Sequence, residues 1–189
     1  MISKQIFDYC LGIILLLILI IPIIIIWILC TIDTKQNGFF LQNRIGKHGK
    51  TFLIFKFRTI SGNTNSTITT NKMNISKFGN LLRNSSIDEI PQLINILNGT
   101  MSFVGPRPDV EGYADKLLGE DKIILNVKPG ITGPAQLKYK NEEILLNNSE
   151  DPKLLNDSFL WPDKVIINKE YVKNMSFFND LKYIFKTIF

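Results

Sequence analysis

The chain of 189 residues has room for one globular domain and an anchor, but not for two full domains. Its formal net charge of +5 suits anionic partners such as phosphates, lipid headgroups or nucleic acid, without choosing among them. With one histidine and two cysteines, a multi-histidine metal site, a disulfide scaffold and a cysteine-rich zinc site are all excluded. Acid–base or nucleophilic chemistry falls mainly to carboxylates.

Hydrophobic residues make up 45% of the chain and concentrate between Leu11 and Leu29, where no charge occurs. About 20 apolar residues match a hydrocarbon core of about 30 Å, so the block reads first as a membrane element. It is longer than the roughly 7–15 residues of a signal-peptide core, and no small-x-small cleavage site follows it. Pro22 removes a backbone hydrogen bond near the middle, where a kink is expected. Lys4 lies before the block, and Lys35, Arg44 and Lys47 lie after it, so the flanking charges do not favour a crossing. A kinked helix that enters and leaves by one face suits both facts; a plain span is the alternative. Cys10 and Cys30, roughly 30 Å apart on a straight helix, cannot form a disulfide.

Beyond the block, residues 36–58 carry two short apolar runs around Gly46 and Gly49, which read as a hairpin or two short extended pieces. Residues 61–74, rich in Ser, Thr and Asn, read as a mobile loop and a natural lid. Ile90, Leu93, Ile94 and Leu97 fall at helical spacing, and Asn98-Gly99 suits a left-handed helix end. At its start, Ser86 and Glu89 have capping-box spacing, or Asp88 is itself the N-cap; Pro91 in the first turn favours the latter. Phe177, Phe178, Leu181, Ile184, Phe185 and Ile188 form a last helical stripe edged by Lys182 and Lys186. That stripe suits either a membrane interface or the protein core.

Asp88-Glu89 is the first chemical candidate: one carboxylate can attack phosphorus while the other helps hold a divalent cation. Acidic residues at a helix start are also ordinary caps. Pro106-Arg107-Pro108 fixes the backbone on both sides of a guanidinium suited to a phosphate, and Lys56-Phe57-Arg58 sets two cations around an aromatic ring. Residues 128–134 (KPGITGP) read as a rigid turn with exposed N–H groups. Gly49-Lys50-Thr51 looks like the end of a P-loop, but Arg44 stands where its first glycine is required.

Taken in order, Gln42-x-Arg44-x-Gly46, residues 55–59 (FKFRT), 88–92 (DEIPQ), 101–108 (MSFVGPRP) and 128–133 (KPGITG) closely resemble the bacterial sugar transferase family, the monotopic polyprenyl-phosphate phosphoglycosyl transferases. The resemblance covers nearly the whole chain, including Tyr171, Asn174, Ser176 and the helix from Asp180. It implies an α+β, helix-rich single cytoplasmic domain over residues 36–189. Residues 1–35 would be a kinked, re-entrant membrane anchor broken near Pro22, on the cytoplasmic face of the bacterial inner membrane. By the same resemblance Asp88 attacks the β-phosphate of a UDP-sugar, UMP leaves, and polyprenyl phosphate takes the phosphosugar from the enzyme. Glu89 would bind Mg²⁺; Lys56, Arg58 and Arg107 would contact phosphate or uridine, with Gln42 and Arg44 also at the substrate. Expected partners are the UDP-sugar, the polyprenyl phosphate, the lipid bilayer and downstream glycosyltransferases, with no nucleic acid. The sequence departs from the family where Ile21, not serine, precedes Pro22, and where Pro134 replaces a common tryptophan. A tethered phosphate-binding protein without turnover is the competing class.

Overall fold

Sequence patterns of period 3.6 dominate the chain, and the computed structural model is accordingly helix-rich; it describes residues 2–62 and 74–188. The expected lid at 61–74 lies for the most part outside the described residues. Those described fall into two compact units: 2–43, 53–62 and 74–101 in the first, 44–52 and 102–188 in the second.

The first unit begins with helix α1 (Ile2–Thr34), which has Pro22 inside it. Ten large aliphatic residues between Ile13 and Leu29 are exposed, among them Leu17 at 70% and Ile21 at 68%. At about 1.5 kcal/mol or more for each such side chain kept in water, the exposure rivals the whole stability of a domain, about 5–15 kcal/mol. Water is therefore not the natural surrounding of this segment, which is long and apolar enough to cross a membrane. Both flanks of the exposed stretch pack on the unit. A Cβ on Gly12 would lie 3.1 Å from the Leu97 side chain, and Cys30 is fully buried with Phe57 and Leu82.

The turn after α1 is tight. Gly38 donates its N–H to Thr31 Oγ1, and any Cβ there would come 2.1 Å from the Trp27 carbonyl oxygen. Strands β1 (Phe39–Ile45) and β2 (Thr51–Phe57) then form the expected hairpin. Its turn puts His48 and Gly49 at positive φ, which glycine takes at little cost. Trp27, Phe39 and Phe57 stack in sequence, with centroids 6.1 and 5.7 Å apart, and so fasten the helix end to the hairpin. Helix α2 (Lys77–Asn84) is capped by Ser76, whose hydroxyl accepts from Gly79 N–H and donates to Asp33 at 2.6 Å.

The second unit is built on two parallel strands, β3 (Ser102–Val104) and β4 (Gly130–Thr132). Helices α4 (Pro134–Lys138), α5 (Glu142–Asn147), α6 (Pro152–Leu155), α7 (Trp161–Lys173) and α8 (Phe177–Ile188) follow. Residues 128–134 therefore do not form a free turn. Gly130 N–H donates to Pro106 O and Thr132 O accepts from Gly105 N–H, so strand pairing occupies backbone groups expected to be exposed. A Cβ on Gly130 would lie 2.1 Å from Gly105 N, and one on Gly133 2.5 Å from Gly105 O, which explains glycine at these positions. Tyr171 locks α7 and α8 to this sheet, its hydroxyl meeting Asp180 Oδ1 at 2.8 Å and Val104 O at 3.3 Å.

Candidate functional site

In the first unit the acidic pair arrives on a helical segment of mixed pitch. Ser86 sits in the left-handed region (φ 56°), a 3₁₀ stretch runs from Ile87 to Gln92, and α3 covers Leu93–Leu97. The capping expectations are corrected here. Ser86 makes no side-chain cap, and Asp88 lies inside the first 3₁₀ turn, not before an α-helix. The prolyl ring of Pro91, which disfavours an α-helical residue before it, accounts for the tighter winding. As expected, the segment ends at Asn98 and Gly99, the latter at φ +80°.

This winding buries Asp88, 8% exposed, and turns Glu89 towards β2, where Lys56 Nζ donates to its Oε1 at 2.7 Å. Both partners are about 15% exposed or less, so the pair is shielded from solvent and screened little by salt. Lys56 and Glu89 are thus brought together. Among the described residues, no three His, Cys, Asp or Glu side chains form a ready-made metal cage. The adjacent carboxylates still fit a hard cation that arrives on a diphosphate, since Mg²⁺ commonly takes one or two carboxylates plus substrate phosphates and water.

Asn95, unflagged by the sequence, sets this geometry. It is wholly buried; its Oδ1 accepts from Phe55 N–H at 3.0 Å, and its Nδ2 donates to Leu53 O at 2.7 Å. The side chain pairs with one edge of β2 as a neighbouring strand would. That holds α3, and with it Asp88 and Glu89, against the strand that carries Lys56. The only available signal was an amide amid Ile94 and Ile96 on an apolar helix.

Arg58 serves the turn after α1: Nε donates to Asn37 O at 2.8 Å, and its guanidinium lies 5.5 Å from the Phe40 ring centroid. Gln42 is partly buried in β1, and Pro22 lies on the exposed face of α1.

In the second unit, Arg107 is exposed while its flanking prolines, Pro106 and Pro108, are buried. The loop thus presents one cation on a fixed backbone. Arg44 braces it, Nη1 donating to Pro108 O at 3.3 Å, and Ile45 N–H donates to Asp109 O at 2.8 Å. Arg107 and Asp109 line a narrow, half-open cleft with room for little more than a water molecule, with Ile45, Ala114 and Val127 among its apolar walls. The residue Asp109 reaches solvent in part, but burial of its carboxyl pushes its pKa up to about 7, against the lowering by Lys164, Arg44 and Arg107. Lys164 is itself paired with Glu142, which adds to the rise.

The chain thus carries one exposed apolar helix, an acidic pair on a short helical turn and a proline-framed arginine. The model of the bacterial sugar transferase family matches residues 1–189, and the chain belongs to that family. It is therefore a sugar transferase, an enzyme. An uncharacterized sugar transferase, EpsL, of Bacillus subtilis is 35% identical over all of this chain and 86% of its own length. The UDP-glucose:undecaprenyl-phosphate glucose-1-phosphate transferase of Escherichia coli is 33% identical over 93% of this chain, but over only 37% of itself. The exopolysaccharide production protein ExoY of Sinorhizobium fredii is 31% identical over 99% of this chain and 84% of its own length.

Proposed function

We propose that the protein transfers a sugar 1-phosphate from a UDP-sugar to polyprenyl phosphate, undecaprenyl phosphate in particular, and releases UMP. The observation that carries this reading is the buried Asp88 next to Glu89, itself held by Lys56, in a chain matched to the family from end to end. The relatives' names add undecaprenyl phosphate as acceptor and UDP-sugars as donors.

The reaction takes two steps. An Asp88 carboxylate oxygen forms a bond to the β-phosphorus, the bond from that phosphorus to the bridging oxygen breaks, and UMP leaves with the electron pair. A phosphate oxygen of the polyprenyl phosphate then attacks the same phosphorus and expels Asp88, leaving a polyprenyl diphosphate sugar. Asp88 lies in the first turn of the helical segment, at the positive end of its dipole. Lys56 keeps Glu89 oriented and adds positive charge where phosphate charge collects. Glu89, with the substrate diphosphate, would hold Mg²⁺, which when bound offsets that charge. Arg107 takes a phosphate oxygen through its fork, and Arg44, Arg58 and Gln42 support donor binding.

The same reading makes residues 1–35 the anchor and 36–189 the catalytic part. Gly12 and Cys30 both pack on one globular unit while the stretch between is exposed, which supports a helix that enters and leaves by one face. The midpoint of that stretch, close to Pro22, is about nine residues from either flank, or about 14 Å of helix, roughly half the hydrocarbon thickness. A soluble donor and an interfacial acceptor phosphate place catalysis on the cytoplasmic face of the inner membrane, with later glycosyltransferases extending the product.

The test is UMP release from a panel of UDP-sugars with Mg²⁺ and undecaprenyl phosphate, together with intact-mass analysis without the acceptor. Wild type is expected to gain one phosphosugar. Asp88→Asn is expected to lose both adduct and turnover, by about a thousandfold or more, as for other covalent nucleophiles. An Asp88→Asn protein with full turnover would show that Asp88 is not the nucleophile.

A further inference from the structure

Arg107 is mounted on a backbone with one soft joint. Pro106 and Pro108 fix their own φ, but Gly105, which leads into them, has no side chain to restrict it. Packing demands glycine there: a Cβ would come 2.4 Å from Lys128 O and 2.9 Å from Gly130 N. Gly105 N–H donates to Thr132 O, and Pro106 O accepts from Gly130 N–H, both at 2.9 Å. Between these two bonds lies the Gly105 carbonyl, which sets the plane of the Gly105–Pro106 peptide. Gln136, on α4, holds it. Its Nε2 donates to Gly105 O at 3.1 Å and stands 3.5 Å from Gly130 O. The two carbonyls, one beyond β3 and one in β4, decide which end of the amide faces them, since only the nitrogen donates. Oε1 is turned away, buried and without a donor. A buried acceptor left unmet lowers stability, so packing alone does not account for glutamine at this position. Its gain is the hold on the peptide that enters the Arg107 loop.

We propose that Gln136 is a positioning residue: by fixing the Gly105–Pro106 peptide it aims the exposed Arg107 guanidinium at a phosphate of the nucleotide sugar. This rests on the reading of Arg107 as a phosphate contact. A guanidinium fork binds phosphate through two parallel N–H bonds, and such bonds weaken steeply once they leave the line of approach. Turning the peptide that leads into Arg107 swings a long side chain, so a small rotation there displaces the fork. The far side of the loop has its own brace in the Arg44 bond to Pro108 O. Gln136 supplies the matching brace on the near side, and the arginine between them is held at both ends.

The experiment compares full-length wild type, Gln136→Met, Arg107→Ala and the double variant by UMP release, with the UDP-sugar varied and Mg²⁺ and undecaprenyl phosphate saturating. Methionine has about the length of glutamine and lacks both the donor N–H and the unmet oxygen. The melting temperature of Gln136→Met is therefore expected to stay within a few degrees of wild type. Its donor KM should rise about tenfold with little of the loss falling on kcat, the mark of binding lost equally from ground and transition states. Arg107→Ala should raise the donor KM at least as much, and adding Gln136→Met should raise it no further, because Gln136 acts through Arg107. Gln136→Asn, one methylene short of Gly105 O, should repeat the KM increase and takes the place of the methionine variant if that does not fold. An unchanged donor KM without the glutamine, or increases that multiply in the double variant, would show that Gln136 does not aim Arg107, while the reaction stands. If Arg107→Ala keeps the wild-type donor KM, Arg107 is not a phosphate contact, and this inference falls with that reading. If wild type releases UMP from no UDP-sugar, the proposed reaction itself fails.

Discussion

At Lys56 the competition between two effects can be measured directly. The Lys56–Glu89 pair is largely shielded from solvent, and removing one partner leaves the other as a half-buried, uncompensated charge. Lys56→Met should therefore cost more stability than an exposed pair does, on the order of 2–3 kcal/mol, and it should also lower turnover. The double variant Lys56→Met/Glu89→Gln should recover most of the stability, because both desolvated charges are then gone, but none of the turnover. Thermal unfolding and UMP release on the wild type, Lys56→Met, Glu89→Gln and the double variant would separate the roles. If stability does not recover in the double variant, the pair does not act as a closed unit. Asn95 makes a contrasting case at this scale. The motif residues Lys56 and Glu89 were legible as charges in the sequence, but their 2.7 Å contact was not, because an amide in a helix had to stand in for a strand first. A long-range side-chain bond of this kind leaves no periodicity to read.

Elements were legible where a local pattern decides them. The hairpin around Gly46 and Gly49, the end at Asn98-Gly99 and the closing helix from Phe177 all follow from turn chemistry or a 3.6-residue repeat. The parallel pair β3–β4 did not, because each strand has three residues and its partner is remote in sequence. The 3₁₀ winding at Asp88 was also missed, since cap rules presume an α-helix and Pro91 imposes another pitch. The glycines of the two motifs now have a physical reason, which can be tested. Gly130→Ala would push a methyl to 2.1 Å from Gly105 N, where only backbone can yield. A loss of about 3 kcal/mol or more is expected, at the upper end of overpacking. Gly49→Ala, with nothing within 4 Å of its Cβ but φ at +73°, should cost only about 1 kcal/mol. Equal losses from the two would mean that the strands separate freely. Because the glycines hold the backbone on which Arg107 is mounted, Gly130→Ala should also weaken donor binding, whereas Gly49→Ala should not.

For the molecule as a whole, the question is which side of the membrane each flank of α1 occupies. A plain span would carry residues before Gly12 to the far side, away from Leu97, yet Gly12 packs there and Asp8 is buried as well. Breaking that packing to cross the bilayer would uncover Leu97 and Ile96, against which Gly12 now sits. A helix that turns back near Pro22 keeps both flanks on the protein and submerges only the apolar middle. Single cysteines introduced at Ile2 and at Lys35, in a protein with Cys10 and Cys30 replaced by serine and alanine, would report the arrangement. An impermeant maleimide added to sealed, right-side-out spheroplasts should label neither position, and both should label once the membrane is opened. Labelling of Ile2→Cys alone in sealed cells would establish a span, and the packing of Gly12 on Leu97 would then have to give way in the membrane. Unlabelled flanks on one side would make Pro22 the functional break of the anchor. Pro22→Ala, which restores the missing hydrogen bond, should then shift Ile2→Cys towards the outer face.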